Sequence, residues 1–566
     1  MKLHSDGWSG LVHPIALVGE TVSTPSRRRF TISGALVVVL LGTTGLGQDS
    51  CSEGDELTEF LVMRDGIELA TEAWTVPGAA NTIVMRTPYG RRSNLGYVDV
   101  FNAEEWAVVS QDTRGTGESG GVFLSPFDDA WGANQDGYDT VEWAAAQEFS
   151  TGDVCLYGFS ALTIVNLATA GAAPPSLKCV YAWVGTQDIY GHAVWQGGAF
   201  RESLATRWLA TLLAFEALDR VMAAPLETDP LWANVRLQTR YDQVDVPIYH
   251  VGGWFDIFSQ GTLDAYAGIQ SGGGAGAVGR QKLLVGPWSH DHEAGQLTFV
   301  DAGNPDGREI AWFERWLDDI PNGIDSEAPV TYYLMGDADK GSSSIANRWV
   351  DAEIWPPAST PTRWYLQPDG GLSTAAPLAG TAASNFDFNP QDPVPTLGGQ
   401  NLFIENGSFD QASSLGRDDV LLFETDELVQ PVAIAGRIEA ELFVSSQALD
   451  TDFTVKLMDV YPDGRYMLMN DGIVRMRFRD GQHQETLMVP GEVYQVSVDL
   501  WSTALVFEAG HRIAIAVSSS NYPRFDVNPN NGGDLFNAEP TVVAEQTVYK
   551  NSSQPSSIVL PVIAIP

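Results

Sequence analysis

The sequence predicts an α/β protein whose parallel sheet is covered on both faces and is followed by an all-β domain. Three observations support this fold class. Short apolar runs alternate with helical segments in the first part of the chain, which is typical of parallel strands joined by helices. One of these runs is followed, after two further residues, by a serine at which a helical pattern begins. In the last part, short strand-like runs alternate with Pro, Gly and Asp clusters.

The predicted α/β part covers residues 55–325. It opens with a hairpin, because residues 60–74 alternate around Asp65-Gly66, a dipeptide typical of tight turns. The apolar runs that we assign as further strands are 82–85, 106–110, 154–157, 180–184, 246–251 and 282–285. Residues 200–243 interrupt the alternation, and Leu and Ala recur at helical spacing over 204–221. This insertion predicts a helical cap over the sheet.

The all-β part covers residues 330–566. Its strand-like runs are 331–335, 362–366, 437–445, 454–460, 493–500 and 512–518. Short strands separated by turn residues predict a β-sandwich, which we expect to be a jelly roll of the galactose-binding-like type.

Residues 1–50 carry the pattern of an export signal. Ser26-Arg27-Arg28-Arg29-Phe30 precedes a short apolar run over 32–41, and this order resembles a twin-arginine signal. A stable membrane span needs ~20 apolar residues, and the run is shorter than that. The sequence therefore predicts a protein exported to the periplasm or the medium.

The composition restricts the partners. The chain of 566 residues is 44% apolar and 18% charged, as expected of a folded protein of several domains. Its formal net charge of −40 repels nucleic acid and anionic membranes, so we expect a small-molecule substrate. No cofactor or metal is expected, since no Cys–His spacing typical of zinc is present. Cys155 and Cys179 begin two neighbouring strands, and buried thiols and a disulfide both remain open.

Ser160 is the candidate nucleophile. It follows the strand-like run 154–157 through Gly158-Phe159, and the helical pattern begins directly after it. A serine on a tight turn from strand to helix is the nucleophile elbow of α/β-hydrolases. The sequence therefore predicts an α/β-hydrolase core.

The base and the acid are expected in loops after later strands, in the chain order Ser, Asp, His. Asp256 follows the strand over 246–251 and His290 follows the strand over 282–285. His290 would take the proton of the serine, and Asp256 would hold the imidazole in the required tautomer. His292, two residues further on, is the alternative base.

Ser119 is a rival nucleophile, because Gly117-Glu118-Ser119-Gly120-Gly121 matches G-x-S-x-G literally, whereas Leu162 replaces the second glycine after Ser160. The residues after Ser119 do not begin a helix. We therefore expect a glycine-rich loop there and assign Ser160 as the nucleophile.

These motifs together resemble the cocaine esterase/NonD hydrolases, relatives of the X-Pro dipeptidyl peptidases and the α-amino-acid ester hydrolases. The similarity covers nearly everything after residue 57. The segments that carry it are Met63-Arg64-Asp65-Gly66, Arg86-Thr87-Pro88-Tyr89, Gln111-Asp112-Thr113-Arg114-Gly115, Gly158-Phe159-Ser160, Gly253-Trp254-Phe255-Asp256, Gly286-Pro287-Trp288-Ser289-His290, Asp450-Thr451-Asp452-Phe453, Asp459-Val460-Tyr461-Pro462-Asp463-Gly464 and Ser518-Ser519-Ser520-Asn521-Tyr522-Pro523-Arg524-Phe525.

The resemblance implies an oxyanion hole made of the Tyr89 hydroxyl and the Ala161 N–H. Relatives usually place glycine three residues after the serine, where this chain has Thr163, so we expect the helix to be crowded against the neighbouring strand. The ester hydrolases that act on α-amino acids carry two carboxylates just after the aspartate, but Ile257-Phe258-Ser259 stand here. A free α-amino substrate is therefore disfavoured.

The candidate substrate pocket is apolar or aromatic, and its residues are Trp131, Trp195, Trp254, Phe255 and Phe258. The sequence thus predicts an exported serine esterase or acylase that forms an acyl-enzyme on Ser160. One alternative is a peptidase that releases X-Pro dipeptides, for which Glu202 and Asp188 are candidate ammonium ligands. Another is a non-catalytic protein that binds carbohydrate through the jelly roll. The sequence indicates no oligomeric state.

Overall fold

A large mixed sheet forms the centre of the protein. The computed structural model describes residues 56–123, 130–303, 307–536 and 539–566. The strands of the first part are β1 (Glu56–Val62), β2 (Glu68–Trp74), β3 (Ala80–Thr87), β4 (Ala107–Asp112), β5 (Ser150–Phe159), β6 (Leu177–Trp183), β7 (Trp195–Gln196), β8 (Ala199–Phe200), β9 (Ile248–Phe255), β10 (Lys282–Ser289), β11 (Val330–Leu334) and β12 (Arg348–Ala352). β7 and β8 form a separate small hairpin.

The other ten strands lie in the order β1-β2-β4-β3-β5-β6-β9-β10-β11-β12. The central block from β4 to β11 is parallel, and antiparallel pairs stand at both edges. Every residue of β4, β9 and β10 is buried. Strands buried on both faces read as continuous apolar runs, which is how the sequence predicted them.

Helices cover both faces of this sheet. The helices of this part are α1 (Leu95–Ala103), α2 (Asp136–Ala145), α3 (Ala161–Gly171), α4 (Glu202–Thr211), α5 (Phe215–Met222), α6 (Ser259–Gly272) and α7 (Arg308–Trp316), of which α4 and α5 belong to the insertion described below. Successive strand residues point to opposite faces. Ile83 therefore packs with residues of α1 and α7, whereas Val84 packs with residues of α2, α3 and α6.

A helical insertion lies between β6 and β9, where the sequence predicts the cap over 200–243. The single run predicted over 204–221 is divided into α4 and α5, and Leu213 between them has a φ of 56°. Leu204 and Leu209 of α4 are buried in one cluster with Ile257. The insertion therefore packs onto the end of the sheet where β9 ends.

The C-terminal part forms a β-sandwich. Its elements are β13 (Thr360–Leu366), β14 (Leu372–Ser373), β15 (Ala383–Phe388), α8 (Ala412–Leu415), β16 (Leu421–Glu424), β17 (Val432–Ser446), β18 (Asp452–Val460), β19 (Tyr466–Arg475), β20 (Tyr494–Phe507), β21 (Arg512–Ser518), β22 (Ala544–Asn551), β23 (Gln554–Pro555) and β24 (Ser557–Ile563). One sheet contains β14-β13-β24-β17-β22-β15, with β20 beside β17 and β23 beside β22, and the other contains β16-β21-β18-β19. One buried cluster includes residues of both sheets. The jelly-roll connectivity stays a prediction.

The core sheet extends beyond the boundary predicted between 325 and 330. β11 pairs in parallel with β10, and β12 pairs with β11. The predicted strand over 331–335, assigned to the all-β part, therefore belongs to the core sheet, because its buried side chains complete the edge beside β10. All the described residues belong to one compact unit.

Cys155 and Cys179 form a disulfide. They face each other in the parallel register of β5 and β6, with Cα atoms 4.8 Å apart. Of the two states that the sequence left open, the structure therefore shows the disulfide. The predicted export signal over 1–50 lies outside the described residues. Among the helices that the structure describes, none is both long and apolar enough to cross a membrane.

Candidate active site

Ser160 occupies a strained turn between β5 and α3. Its φ of 60° and ψ of −120° are unusual for a residue with a side chain. The Ser160 N–H donates to the Trp183 carbonyl at 2.9 Å, and the Ser160 carbonyl accepts from the Ile164 N–H at 3.2 Å. These bonds hold the main chain in a conformation that it would otherwise avoid. The turn from strand to helix is the one that the sequence predicts.

Thr163 and Leu162 are both accommodated in the packing of α3. The Thr163 hydroxyl lies 2.7 Å from the Gly158 carbonyl and 2.8 Å from the Trp183 carbonyl. A Cβ on Gly185 would stand 2.2 Å from Thr163 Cγ2, so the space for the threonine methyl comes from this glycine. Leu162 is buried in the core cluster. The crowding expected at position 163 is therefore avoided because position 185, on the other side of the contact, has no side chain.

The structure brings Ser160, His290 and Asp256 into one hydrogen-bonded chain. His290 Nε2 lies 2.9 Å from Ser160 Oγ, and His290 Nδ1 lies 2.6 Å from Asp256 Oδ2. Asp256 follows β9 directly and His290 follows β10 directly. The carboxyl ends of parallel strands meet at one edge of the sheet, which explains why residues so distant in sequence come together.

Asp256 is held on both oxygens. The Phe258 N–H donates to Oδ1 at 2.6 Å while Oδ2 faces His290, and Asp256 is fully buried. A carboxylate accepts only, so His290 Nδ1 carries a proton towards it. The neutral imidazole then leaves Nε2 free to accept the hydrogen of the Ser160 hydroxyl. The arrangement can remove a proton from Ser160.

Two potential hydrogen-bond donors line the same cavity as Ser160. Ala161 is the first residue of α3, and the first N–H groups of a helix have no acceptor within it. The Tyr89 hydroxyl shares a cavity with Ser160 and accepts a hydrogen bond from Trp208 Nε1 at 2.9 Å. Tyr89 is 43% exposed, but desolvation around its hydroxyl raises the pKa of the phenol to about 12. The hydroxyl therefore stays protonated at neutral pH and can donate.

The cavity over Ser160 is lined mainly by apolar side chains. It opens between the sheet edge, the helical insertion and the C-terminal sandwich. Its lining consists of Tyr89, Ser160, Ala161, Ile164, Ile189, Ala193, Val194, Leu204, Ala205, Trp208, Leu209, Ile257, Phe258 and Leu402. None of these lining side chains carries a charge, so the cavity suits an apolar group.

Comparison with known proteins identifies relatives over most of the chain. The model of the X-Pro dipeptidyl-peptidase (S15) family matches residues 65–228 and 215–292, and the model of the X-Pro dipeptidyl-peptidase C-terminal non-catalytic domain matches residues 322–559. Cocaine esterase from Rhodococcus sp. (strain MB1 Bresler) is 31% identical over 578 residues, which cover 88% of this chain and 97% of the relative. The chain belongs to the cocaine esterase/NonD hydrolases. It is accordingly a serine hydrolase, and the alternative of a non-catalytic binding protein is wrong.

Solved structures show the same fold. The crystal structure of an aminopeptidase from the marine sediment archaeon Thaumarchaeota archaeon is 23% identical, with a TM-score of 0.77 over 92% of this chain and 99% of that one. An α-amino acid ester hydrolase is also 23% identical, with a TM-score of 0.75 over 94% of this chain and all (100%) of that one. The hydrolase core followed by a sandwich is thus the architecture expected of a cocaine esterase/NonD hydrolase.

Four of the five aromatic residues predicted to form the pocket lie elsewhere in this cocaine esterase/NonD hydrolase, and only Phe258 lines the cavity. Trp195 donates to the Val221 carbonyl at 3.1 Å, and Trp254 donates to the Tyr333 carbonyl at 2.8 Å. The other two are Phe255, buried in the core, and Trp131, which lines a smaller cavity beside α3. Burial of large aromatic side chains in the core accounts for these differences.

Most of the lining comes instead from apolar residues of other segments, which no local sequence pattern connects with Ser160. Leu204, Trp208 and Leu209 belong to α4, and the helical spacing in this segment predicts a buried face without indicating what that face covers. Ile257 follows Asp256 and could have been found by its position. Leu402 belongs to the C-terminal part, and no sequence pattern connects a residue so far along the chain with Ser160.

The two rival residues are placed away from the chain of hydrogen bonds. Ser119 Oγ donates to the Asp112 carbonyl at 2.7 Å and accepts from the Ala70 N–H at 2.9 Å, so it fixes a glycine-rich loop. His292 stacks on Trp183 with ring centroids 5.1 Å apart. The structure therefore favours Ser160 and His290 over Ser119 and His292.

Arg201 connects the site to its surroundings. It is 1% exposed, and its guanidinium donates to the Ile257 carbonyl at 2.9 Å and to the Gln400 carbonyl at 3.0 Å. It also donates to the carbonyl of His192 in the helical insertion. The segment after Asp256 is thus tied to both the insertion and the C-terminal part.

Proposed function

We propose that the protein hydrolyses a carboxylic ester or amide with an apolar acyl group, through an acyl-enzyme on Ser160. The observation that carries this proposal is the hydrogen-bonded chain Asp256–His290–Ser160, which ends at the apolar cavity. A serine hydroxyl becomes a nucleophile when a neighbouring base takes its proton.

The reaction follows from the positions of these groups. His290 Nε2 takes the hydroxyl proton while Ser160 Oγ attacks the carbonyl carbon. The carbonyl oxygen becomes an oxyanion, which the Ala161 N–H and the Tyr89 hydroxyl stabilise by hydrogen bonds. His290 then gives its proton to the leaving alcohol or amine, and the acyl group remains on Oγ. Water, activated by the same imidazole, attacks the ester and restores Ser160.

The apolar lining supports an uncharged acyl group. A substrate with a free ammonium needs carboxylates at the cavity, because an unpaired charge is costly in an apolar site. Asp188, one of the candidate ammonium ligands, accepts from Gln238 at 2.6 Å and pairs with Arg236, outside the lining of this cavity. Burial raises the pKa of Glu202, the other candidate, to about 7, and Asp526 contributes to this rise. Burial thus disfavours the charged form of Glu202, which is also outside the lining of this cavity. The X-Pro peptidase alternative is disfavoured.

Labelling with a fluorophosphonate tests the nucleophile. We expect the wild-type protein to be labelled and Ser160→Ala to remain unlabelled, with Ser119→Ala as the matched control that keeps the label. Labelling that persists in Ser160→Ala contradicts the assignment. Initial rates on aryl esters, arylacetamides and X-Pro anilides then separate the substrate classes. Faster turnover of X-Pro anilides than of aryl esters contradicts the proposed acyl specificity.

Export is part of the proposal. The arginines at 27–29 followed by an apolar run support a twin-arginine signal. The disulfide between Cys155 and Cys179 also fits an oxidising compartment. We expect residues 1–50 to export a reporter that folds before transport, and export to stop when Arg27 and Arg28 are both replaced by Lys. Continued export of the double variant contradicts a twin-arginine signal.

A further inference from the structure

A hydrogen bond joins the helical insertion to the loop after β3. Trp208 Nε1 lies 2.9 Å from the Tyr89 hydroxyl oxygen. An indole N–H can only donate, so the direction of this bond is fixed and the phenol oxygen accepts. The phenol hydrogen must therefore point away from Trp208. Both side chains line the cavity that contains Ser160 and Ala161.

We propose that Trp208 is a positioning residue that orients the Tyr89 hydroxyl as a donor to the oxyanion. This inference rests on the proposed function, in which Tyr89 supplies one of the two donors. The hydrogen of a phenol can lie on either side of the oxygen in the plane of the ring. A donor that occupies one side leaves the hydrogen on the other. A donor fixed before the reaction stabilises the developing charge without having to reorient.

The bond also affects how strongly Tyr89 donates. A hydrogen bond received at the phenol oxygen draws electron density from it and makes the O–H group a better donor, since neighbouring hydrogen bonds polarise one another. In agreement with this, the bond from Trp208 acts to lower the pKa of Tyr89, although desolvation outweighs it. The phenol thus remains protonated while its hydrogen becomes more acidic.

Packing holds the indole in place. The Trp208 ring meets the Phe123 ring edge-on, with centroids 6.2 Å apart and planes at 72°. Trp208 lies in α4, one turn after Leu204, which is buried against the cavity. The helical insertion therefore covers the cavity and also orients a donor that comes from the core sheet.

The test is a double-mutant cycle on kcat with a p-nitrophenyl ester. Trp208→Phe keeps an aromatic ring in the cavity and removes the N–H. We expect it to lower kcat about tenfold, the worth of one hydrogen bond, with KM nearly unchanged. Tyr89→Phe should lower kcat by about 10²–10³, as loss of an oxyanion donor does. In the Tyr89→Phe background, Trp208→Phe should have no further effect on kcat.

Leu204→Ala is the matched control, because it changes the cavity wall on the same helix without touching the bond. Its effect should be the same in the wild-type and Tyr89→Phe backgrounds. Trp208→Leu, which also lacks the N–H, serves as a second variant, and the melting temperatures of all variants are compared. The affinity of an arylboronic acid, which forms a tetrahedral adduct on serine, should fall in parallel with kcat.

The outcomes separate the positioning role of Trp208 from the proposed function and its oxyanion hole. If Trp208→Phe lowers kcat equally in both backgrounds, the indole acts only through packing, and the positioning role is refuted while the proposed function stands. If Trp208→Phe leaves kcat unchanged while Tyr89→Phe lowers it, the positioning role is again refuted. If Tyr89→Phe itself leaves kcat unchanged, the proposed oxyanion hole fails.

Discussion

Replacing Asp256 by Asn should abolish most of the activity while leaving the site assembled. The substitution keeps the size of the side chain but gives it one acceptor and one donor. The Phe258 N–H, 2.6 Å from Oδ1, requires the amide oxygen on its side, because an NH₂ group there would set two donors against each other. The NH₂ group must then face His290 Nδ1, which accepts in place of donating. His290 consequently carries its proton on Nε2 and cannot take the proton of Ser160.

The magnitude follows from this change of tautomer. In hydrolases with a Ser-His-Asp triad, the same replacement lowers kcat about 10⁴-fold. At 1.36 kcal/mol for each factor of ten, this corresponds to ~5.4 kcal/mol of transition-state stabilisation. KM should change little, because Asp256 is not among the residues that line the cavity.

Initial rates with a p-nitrophenyl ester give kcat and KM, and circular dichroism checks the fold. Asp291→Asn is the matched control: it also removes a charge beside His290, but Asp291 is exposed and accepts a hydrogen bond from Asn406. We expect it to keep kcat within about twofold, as surface changes usually have small effects. An Asp256→Asn protein that retains a tenth of the wild-type kcat would refute the tautomer argument.

Three further predictions concern packing around the site. Gly185→Ala should lower the free energy of unfolding by about 1–3 kcal/mol in chemical denaturation, because the new Cβ would meet Thr163 Cγ2 at 2.2 Å, and the loss should be smaller beside Thr163→Gly. Replacing Cys155 and Cys179 by Ala should lower the free energy of unfolding by about 3 kcal/mol, because the disulfide closes a loop with a separation of 24 residues. The kcat of this variant should equal that of the wild type. Ile189→Ala should connect the cavity over Ser160 with the smaller one beside α3, since Ile189 lines both. For p-nitrophenyl esters whose acyl chain is two methylenes longer than the one that the wild-type protein prefers, kcat/KM should then rise about tenfold over the wild-type value.

Each of these predictions can fail. Equal losses for Gly185→Ala with and without Thr163→Gly would show that the two positions are not coupled. An unchanged denaturation midpoint after removal of both cysteines would contradict a stabilising bridge. A chain-length profile of Ile189→Ala identical to that of the wild type would show that the two cavities stay separate.

Local patterns were sufficient to predict the sheet and the three residues of the hydrogen-bonded chain. The strands are buried on both faces and therefore read as apolar runs, and the order Ser160, Asp256, His290 follows from the ends of those strands. The pocket could not be predicted in this way. Aromatic residues such as Trp254 are as apolar in the core as at a cavity, and only the packing of distant segments decides between the two positions.

Contacts between distant positions explain what the sequence did not show. Thr163 departs from the glycine expected there, but the compensating glycine is at 185, in the segment after the neighbouring strand. The disulfide depends on the register of β5 and β6, which places Cys155 beside Cys179. The pattern of residues 330–334 predicts a strand whether the segment belongs to the core sheet or to the sandwich. Only its pairing with β10 assigns it to the core sheet.

The C-terminal sandwich and the insertion are parts of the site, since Arg201 fixes both to the segment that carries Asp256. Burial, and then the nearby Arg524, hold the pKa of Arg201 well below its usual range, so this guanidinium is costly to bury. Its cost is offset by bonds to carbonyls of three separate segments, at His192, Ile257 and Gln400. These bonds hold the chain directly after Asp256 in place. The Asp256 carboxylate in turn sets the tautomer of the His290 imidazole. An architecture that closes the cavity with elements from outside the sheet therefore also sets the geometry of the proton transfer.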